Sequence, residues 1–383
     1  MSNATLKPSD CGRAWAEIDL GALAHNVSQL RAILPDGCKL MAVVKADAYG
    51  HGAKRVAEVL RQEGVDAFAV ATAAEGAIIR ECIPDAEILV LGYTPQSEAK
   101  SLKANRLAQL VVDSAHAKAL DTAEYGLPIH IAIDTGMHRL GIGHLNIPEI
   151  ESIFACENLI IKGLATHLAV SDSLSPDDTA FSALQIMRFH EAVGILREKG
   201  HDTGKLHAQA SYGAYNLPDL HFDYARIGIG LYGVMSHDSG TVLSPRLRPV
   251  LSLRATVAQV RWIDAGESVS YGRAYKTDRP TKLATVSIGY ADGVPRQMSG
   301  NGGLCIVKGR KVPVVGRICM DLLMVDVTEI DDVSPGDVVT IIGRDGDEEI
   351  RCEDVAAASG TITNDVLCRL GSRVPRIYIK DER

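Results

Sequence analysis

Short apolar runs recur through the first two thirds of the chain. They read LMAVVK from Leu40, AFAVAT from Ala67, EILVLG from Glu87 and AQLVVD from Ala108. IHIAID from Ile129, LIIKGLATH from Leu159, KLHAQAS from Lys205 and ARIGIGLYG from Ala225 follow. Consecutive rather than alternating apolar positions suit parallel strands covered on both faces by helices. The segments between most of them are amphipathic. Ala53 to Gly64 places Val56, Val59 and Leu60 on one face, and Asp177 to Gly200 is the longest helical stretch, with Pro176 as its start signal. Eight strands alternating with helices predict an α/β fold, a (β/α)8 TIM barrel. An open doubly wound sheet is the weaker reading, because no Gly-x-Gly-x-x-Gly follows the first strand.

The pattern changes after Pro245. ATVAQVRWI, LATVSIGYAD, CIVKGRKVPVVG, LLMVDV and DVVTIIGR are β-rich and separated by Gly and Asp-Gly turns. Helical patterning returns only in Cys352 to Ala358. The expected organisation is a leader over 1–14, a barrel over 15–243 and a mostly β C-terminal domain over 244–383. An early strand, Trp15 to Leu20, is expected to join the β domain. Met1 to Ala4 reads as an expression remnant, so a longer natural N-terminus is left open.

Composition narrows the function. The net charge is −8 with no basic block, which disfavours nucleic acid as a partner. The eight cysteines are scattered without a C-x-x-C, which suits reduced thiols in the cytoplasm. No apolar run approaches the length of a membrane span, and no signal peptide is seen. No His/Cys/carboxylate set has metal-ligand spacing.

The candidate chemistry sits at strand ends, where barrels of this type carry their sites. Lys45 closes the first strand of AVVKADAYGHG, in the position of a partly desolvated amine able to form a Schiff base with a carbonyl. Strand five ends in DTGMHR, with Arg139. Strand six ends in Thr166-His167. Strand seven leads to Ser211. Strand eight carries Arg226 and runs into Gly228 and Ile229, whose N–H groups with the Ser211 hydroxyl offer a phosphate cradle. A lysine, an arginine, a histidine and an anion cradle thus share one face.

These motifs, with THLA, RIGIGLYG, SYGRAY, SIGYADG, CMD and RVPR, resemble those of alanine racemases from Trp15 to Arg376. The resemblance implies a pyridoxal 5′-phosphate (PLP) isomerase of fold type III. Lys45 would hold PLP covalently. Tyr49, Ser211, Gly228 and Ile229 would bind its phosphate. Arg226 would face the ring nitrogen, with His167 beside it, and Arg139 the phenolic oxygen. Lys45 and Tyr271, the latter from a partner subunit, would be two bases on opposite faces of the substrate. Met320 and Asp321 of that subunit would line the substrate side, and Tyr290 would guard the entrance. The resemblance therefore implies a homodimer with shared active sites.

Three positions depart from the family. Ala132 replaces a lysine often modified to a carbamate beside the arginine. In His-Ala-Gln-Ala-Ser, Ala210 replaces the usual asparagine. In Thr361-Ile362-Thr363-Asn364-Asp365, Asn364 replaces a tyrosine. Asn364 is smaller and polar, so it leaves room for a substrate hydroxyl and can hydrogen-bond it. Asparagine at this position is similar to the membrane-anchored serine racemases of vancomycin resistance, whose racemase domain is cytoplasmic. The expected function is interconversion of L- and D-serine, with alanine activity, to supply D-serine for modified peptidoglycan in antibiotic resistance. The alternatives are an ordinary alanine racemase, a basic amino-acid decarboxylase of the same fold type and a non-catalytic PLP-binding barrel.

Overall fold

The computed structural model describes residues 12–123, 126–236 and 240–379. The leader expected over 1–14 therefore falls, up to Cys11, outside the described residues. Each of the eight apolar runs forms a strand. In order they are Lys39–Val43, Ala67–Val70, Glu87–Val90, Ala108–Val111, Leu127–Asp134, Leu159–Ala165, Lys205–His207 and Tyr224–Ile227, called here barrel strands 1 to 8. Neighbours pair in parallel throughout, and strand 8 pairs with strand 1, which closes the barrel.

Helices cover the outside. Ala53–Gln62 buries Val56, Val59 and Leu60. The longest helix, Pro176–Glu198, begins with Pro176 in its first turn, and the Ser175 side chain caps the Asp178 N–H. This is the arrangement expected of a proline and a serine at a helix start.

The strand Ala14–Asp19 pairs antiparallel with Leu251–Ile263 and parallel with Arg376–Ile379. It therefore belongs to the sheet built by the C-terminal third of the chain. Asp19 ends it by capping the next helix, Leu20–Ala32, through bonds from the Gly21 and Ala22 N–H groups. The 13-residue strand Leu251–Ile263 organises this second sheet. It also pairs with Thr281–Val286 and Val338–Asp345. The hairpin Leu304–Val307/Arg310–Pro313 turns on Lys308 and Gly309, both at positive φ, as a tight two-residue turn requires.

One expectation needs correction. Helical structure in the second sheet's region is not confined to Cys352–Ser359, because a second helix, Thr363–Cys368, follows. Its six residues are too few for a clear apolar period. Tertiary contact makes it: Thr363 Oγ1 donates to the Met235 carbonyl at 2.8 Å, and a side chain at Gly50 would collide with the Leu367 carbonyl. This helix carries Asn364 to the barrel mouth.

Candidate active site

At the C-terminal mouth of the barrel is a cavity of about 480 Å³. Its walls include Lys45, Tyr49, Arg139, His167, Ser211 and Arg226. Gly228, Ile229 and Asn364 also line it. Nine residues singled out from the sequence thus share one space.

The backbone that presents Lys45 is unusual. Ala46, Asp47, Ala48 and Tyr49 have φ of 52°, 53°, 55° and 51°, a turn of left-handed helix without a glycine. Each L-residue in that region costs about 1–2 kcal/mol, so neighbours must hold it. The Glu75 carboxylate accepts from the N–H groups of Ala46 at 2.8 Å and Ala71 at 2.7 Å, tying the turn to the end of barrel strand 2. Asp47 Oδ1 accepts from the Ala53 N–H at 2.7 Å. His51 Nδ1 sits against the carbonyls of Ala48 and Tyr49. Arg376 Nε donates to the Gly50 carbonyl at 2.8 Å. The last arginine of the RVPR motif is therefore a clamp on the turn that follows Lys45.

Burial, then the positive charge of Arg139, pushes the Lys45 amine below the ordinary lysine range. A half-desolvated amine of this kind is readily deprotonated and nucleophilic.

The cradle forms where strands 7 and 8 end. Ser211 opens a short helix, Ser211–Asn216, and its Oγ accepts from the N–H groups of Gly228 and Gly230, each at 3.2 Å. A Cβ at Gly228 would stand 2.6 Å from the Tyr49 hydroxyl, so only glycine lets that hydroxyl approach the loop.

Arg226 lies within strand 8 and is buried. Nη2 donates to the carbonyls of Thr166 and Ala208, and lies 3.2 Å from His167 Nδ1. Because a guanidinium only donates, His167 Nδ1 accepts, and the proton of the neutral ring is on Nε2. Burial, with Arg226 and Arg139 adding to it, pulls His167 down to about 3, so it is neutral at physiological pH. Burial and Arg139 also pull Arg226 to about 10, which leaves it a cation. Arg139 and Arg226 bring two guanidinium groups to a cavity that Asp134 and Asp172 also line, and an anionic ligand can be held at the guanidinium side.

Ala132 lines the cavity with Arg139. The loop between them is shaped by Asp134, which accepts from the N–H groups of Gly136 and His138. Gln185 of the long helix braces it from behind, donating to Thr135 Oγ1 and the His167 carbonyl.

Four expected site residues are elsewhere in this chain. Tyr271, Met320 and Asp321 line an open groove on the second sheet, and Tyr290 joins them through the bond from its N–H to the Cys319 carbonyl. Tyr271 is 69% exposed and Met320 52% exposed, high values for large apolar side chains. None of the four lines the cavity of the same chain.

Glu75, Gln185 and Ser236 were not anticipated. Glu75 had a partial signal, since Thr72-x-x-Glu75 has capping-box spacing, and Thr72 does cap the Glu75 N–H. The carboxylate reaches the left-handed turn after Lys45 instead of its own helix. Gln185 and Ser236 had no signal, because their partners are distant in sequence.

Family models place this arrangement. "Alanine racemase, N-terminal domain" matches residues 18–236, and "Alanine racemase, C-terminal domain" matches 250–378.

The chain belongs to the alanine racemase family.

It is 40% identical over 367 residues to an amino-acid racemase of Enterococcus faecalis, covering 96% of this chain and 52% of that protein. It is 39% identical over 363 residues to a serine/alanine racemase of Enterococcus gallinarum, covering 94% and 51%. The chain thus spans about half the length of these curated relatives. An alanine racemase of Carboxydothermus hydrogenoformans, 39% identical over 370 residues, is matched over 95% of this chain and 99% of its own. The alanine racemase of Bacillus anthracis with bound L-Ala-P superposes with a TM-score of 0.89 at 33% identity, covering 97% and 96%. That of Bartonella henselae, with covalently bound pyridoxal phosphate, gives 0.84 at 32%, covering 96% and 100%. The (β/α)8 barrel with a mostly β C-terminal region is the architecture of these alanine racemases. Among the described residues no helix is long and apolar enough to cross a membrane.

Proposed function

We propose that the chain is a PLP-dependent amino-acid racemase acting on serine, with alanine as a second substrate. The observation that carries the serine reading is Asn364 in the cavity wall, with its oxygen engaged by Ser236 Oγ at 2.8 Å. The amide then has N–H donors to offer the cavity, and a site that bonds a substrate hydroxyl favours the substrate that has one. The Enterococcus gallinarum relative described as a serine/alanine racemase supports the same reading. D-serine for modified peptidoglycan precursors, in glycopeptide resistance, is the biological role consistent with it.

The cavity fits PLP. The desolvated Lys45 amine suits its aldehyde. The narrow loop of Ser211, Gly228 and Ile229 with the Tyr49 hydroxyl suits its phosphate. Arg226 would meet the ring nitrogen and Arg139 the phenolic oxygen. When bound, PLP delocalises the electron pair left as the substrate's α-proton departs. Arg226, which keeps its proton, would hold the ring nitrogen as a donor and leave it unprotonated, an arrangement that would disfavour transamination.

The protein's part is proton transfer on two faces. Lys45 Nζ serves one. Tyr271 of the partner subunit serves the other, in a homodimer with shared sites. Its exposure, together with that of Met320, supports this, because the second sheet presents a face that its own cavity does not use. His167 Nε2–H, held by Arg226, is the donor available to a phenolate there. Asp321 is held by Arg373 at 2.6 Å on the same face.

The test is racemisation of L-serine and L-alanine side by side, as a ratio of kcat/KM. A serine-to-alanine ratio near or above one agrees with the proposal. A ratio far below one leaves an alanine racemase, the activity named for the Carboxydothermus relative. Tyr271→Phe separates a racemase from a non-catalytic PLP carrier, which would not notice the change.

A further inference from the structure

Arg226 is a buried cation, and among the described residues no carboxylate stands within ion-pair distance of it. Its Nη1 contacts His207 Nδ1 at 2.6 Å, and His207 Nε2 contacts His130 Nδ1 at 2.9 Å. Both rings are buried. Burial, with the charge of Arg226, takes His130 down to about 4 and His207 well below the usual range, so both are neutral.

The direction of this chain follows by elimination. A guanidinium has donors only, so His207 Nδ1 accepts. The proton of neutral His207 is then on Nε2 and is donated to His130 Nδ1. The proton of neutral His130 is in turn on Nε2. That nitrogen is buried and has no hydrogen-bond partner. Glu87 Oε1 lies 4.0 Å from it, and the Lys162 ammonium also acts on the ring.

Glu87 is the first residue of barrel strand 3, at the mouth opposite the cavity. The other carboxylate oxygen accepts from the Tyr224 hydroxyl at 2.7 Å, across the barrel floor. Space for the relay is built in. Gly163 pairs with His130 in the adjacent strand, and a Cβ there would come within 2.7 Å of His130 Nδ1.

We propose that Glu87 is a positioning residue for Arg226, acting through His130 and His207 from the far mouth of the barrel. Arg226 imposes this proton order from one end, and the carboxylate, by attracting the His130 Nε2–H, favours the same tautomer from the other. At 4.0 Å the contact is one of charge with an N–H dipole rather than a hydrogen bond. The chain polarises toward the carboxylate and offsets part of the cost of burying Arg226. The consequence for catalysis rests on the proposed racemase reading, in which Arg226 meets the PLP ring nitrogen.

The experiment uses the full chain labelled with ¹⁵N-histidine, with and without PLP. Long-range ¹H–¹⁵N correlations report the tautomer of each ring, assigned by single substitutions. In the wild type both His130 and His207 should carry the proton on Nε2. Glu87→Leu should admit the Nδ1–H tautomer of His130 alongside the Nε2–H form, while His207, held by the guanidinium, keeps its proton on Nε2. kcat should fall roughly tenfold, the low end for outer partners of an active-site group, at little change in KM. Glu87→Asp should restore part of both, and Tyr224→Phe should leave the tautomers as they are. Unchanged tautomers in Glu87→Leu overturn the proposal, as do changed tautomers with wild-type kcat. If the chain does not racemise at all, the racemase reading fails on its own, and the tautomers of the PLP-free protein still decide the relay.

Discussion

Ser236 Oγ donates to Asn364 Oδ1 at 2.8 Å, and that bond fixes which end of the Asn364 amide is free. Ser236 is itself placed by the bond from its N–H to the Tyr212 hydroxyl at 2.9 Å. An unanchored amide would offer its oxygen and its N–H groups by turns. Removing the anchor in Ser236→Ala should lower kcat/KM for serine by roughly three- to tenfold, equivalent to about 1 kcal/mol for a lost hydrogen bond. Alanine has no hydroxyl to lose, so its kcat/KM should hold within about twofold. Asn364→Tyr should move the ratio further toward alanine. A parallel fall for both substrates in Ser236→Ala would show that the amide's orientation does not select serine.

Glu75 has a structural task that reaches the chemistry. Its carboxylate holds the Ala46 and Ala71 N–H groups, so it secures four left-handed residues next to Lys45. Hydrogen bonds to a charged acceptor contribute about 1.5–3 kcal/mol each, and the half-exposure of Glu75 places the expected loss for Glu75→Ala near the lower figure. Urea unfolding reads that loss. The same variant should bind PLP more weakly, because the amine is no longer held at one place. Full PLP affinity in a destabilised Glu75→Ala protein would confine Glu75 to fold stability.

The barrel was legible because its strands are buried on both faces, and the sequence wrote them as unbroken apolar runs such as Ala67–Val70, all four residues of which are buried. Lys45, Arg226 and Ser211 were legible because barrel geometry puts strand ends on one face. The left-handed turn was not. Ala-Asp-Ala-Tyr has no glycine to mark it, and its restraints come from Glu75, 29 residues on, and Arg376, which bonds Gly50 across 326. The helix that carries Asn364 was missed for a related reason, since packing against Gly50 defines it and local periodicity does not.

Gly228 lies against the Tyr49 hydroxyl. In Gly228→Ala the new methyl would meet the Tyr49 hydroxyl at 2.6 Å, and the loop or the tyrosine must shift. PLP affinity should fall at least tenfold, since both are drawn away from where the phosphate would sit, while a tenfold change is about 1.4 kcal/mol. Tyr49→Phe in the same background removes the colliding oxygen and should recover part of the loss. No recovery would mean that the loop backbone is what the methyl disturbs. Equilibrium dialysis with PLP distinguishes the two.

Acid should unfold this protein through its buried histidines. His51 and His130 are held down to about 4 and His167 to about 3, each by burial first. The unfolded chain binds protons at these rings near pH 6.5, and the folded chain does not until the folded values are reached. Protonation therefore favours the unfolded state, and stability falls as pH drops from about 6.5 toward 4. Each ring contributes up to about 1.4 kcal/mol per pH unit in that window. Among them His51 is the cleanest probe, because its ring stacks on Tyr232 with centroids 4.4 Å apart and braces the left-handed turn without lining the cavity. His51→Gln should be less stable at pH 7, since the packing is lost, but its stability should fall less steeply between pH 6.5 and 5. Urea midpoints at half-unit steps measure both slopes, and parallel slopes for the two proteins would remove His51 from the acid response.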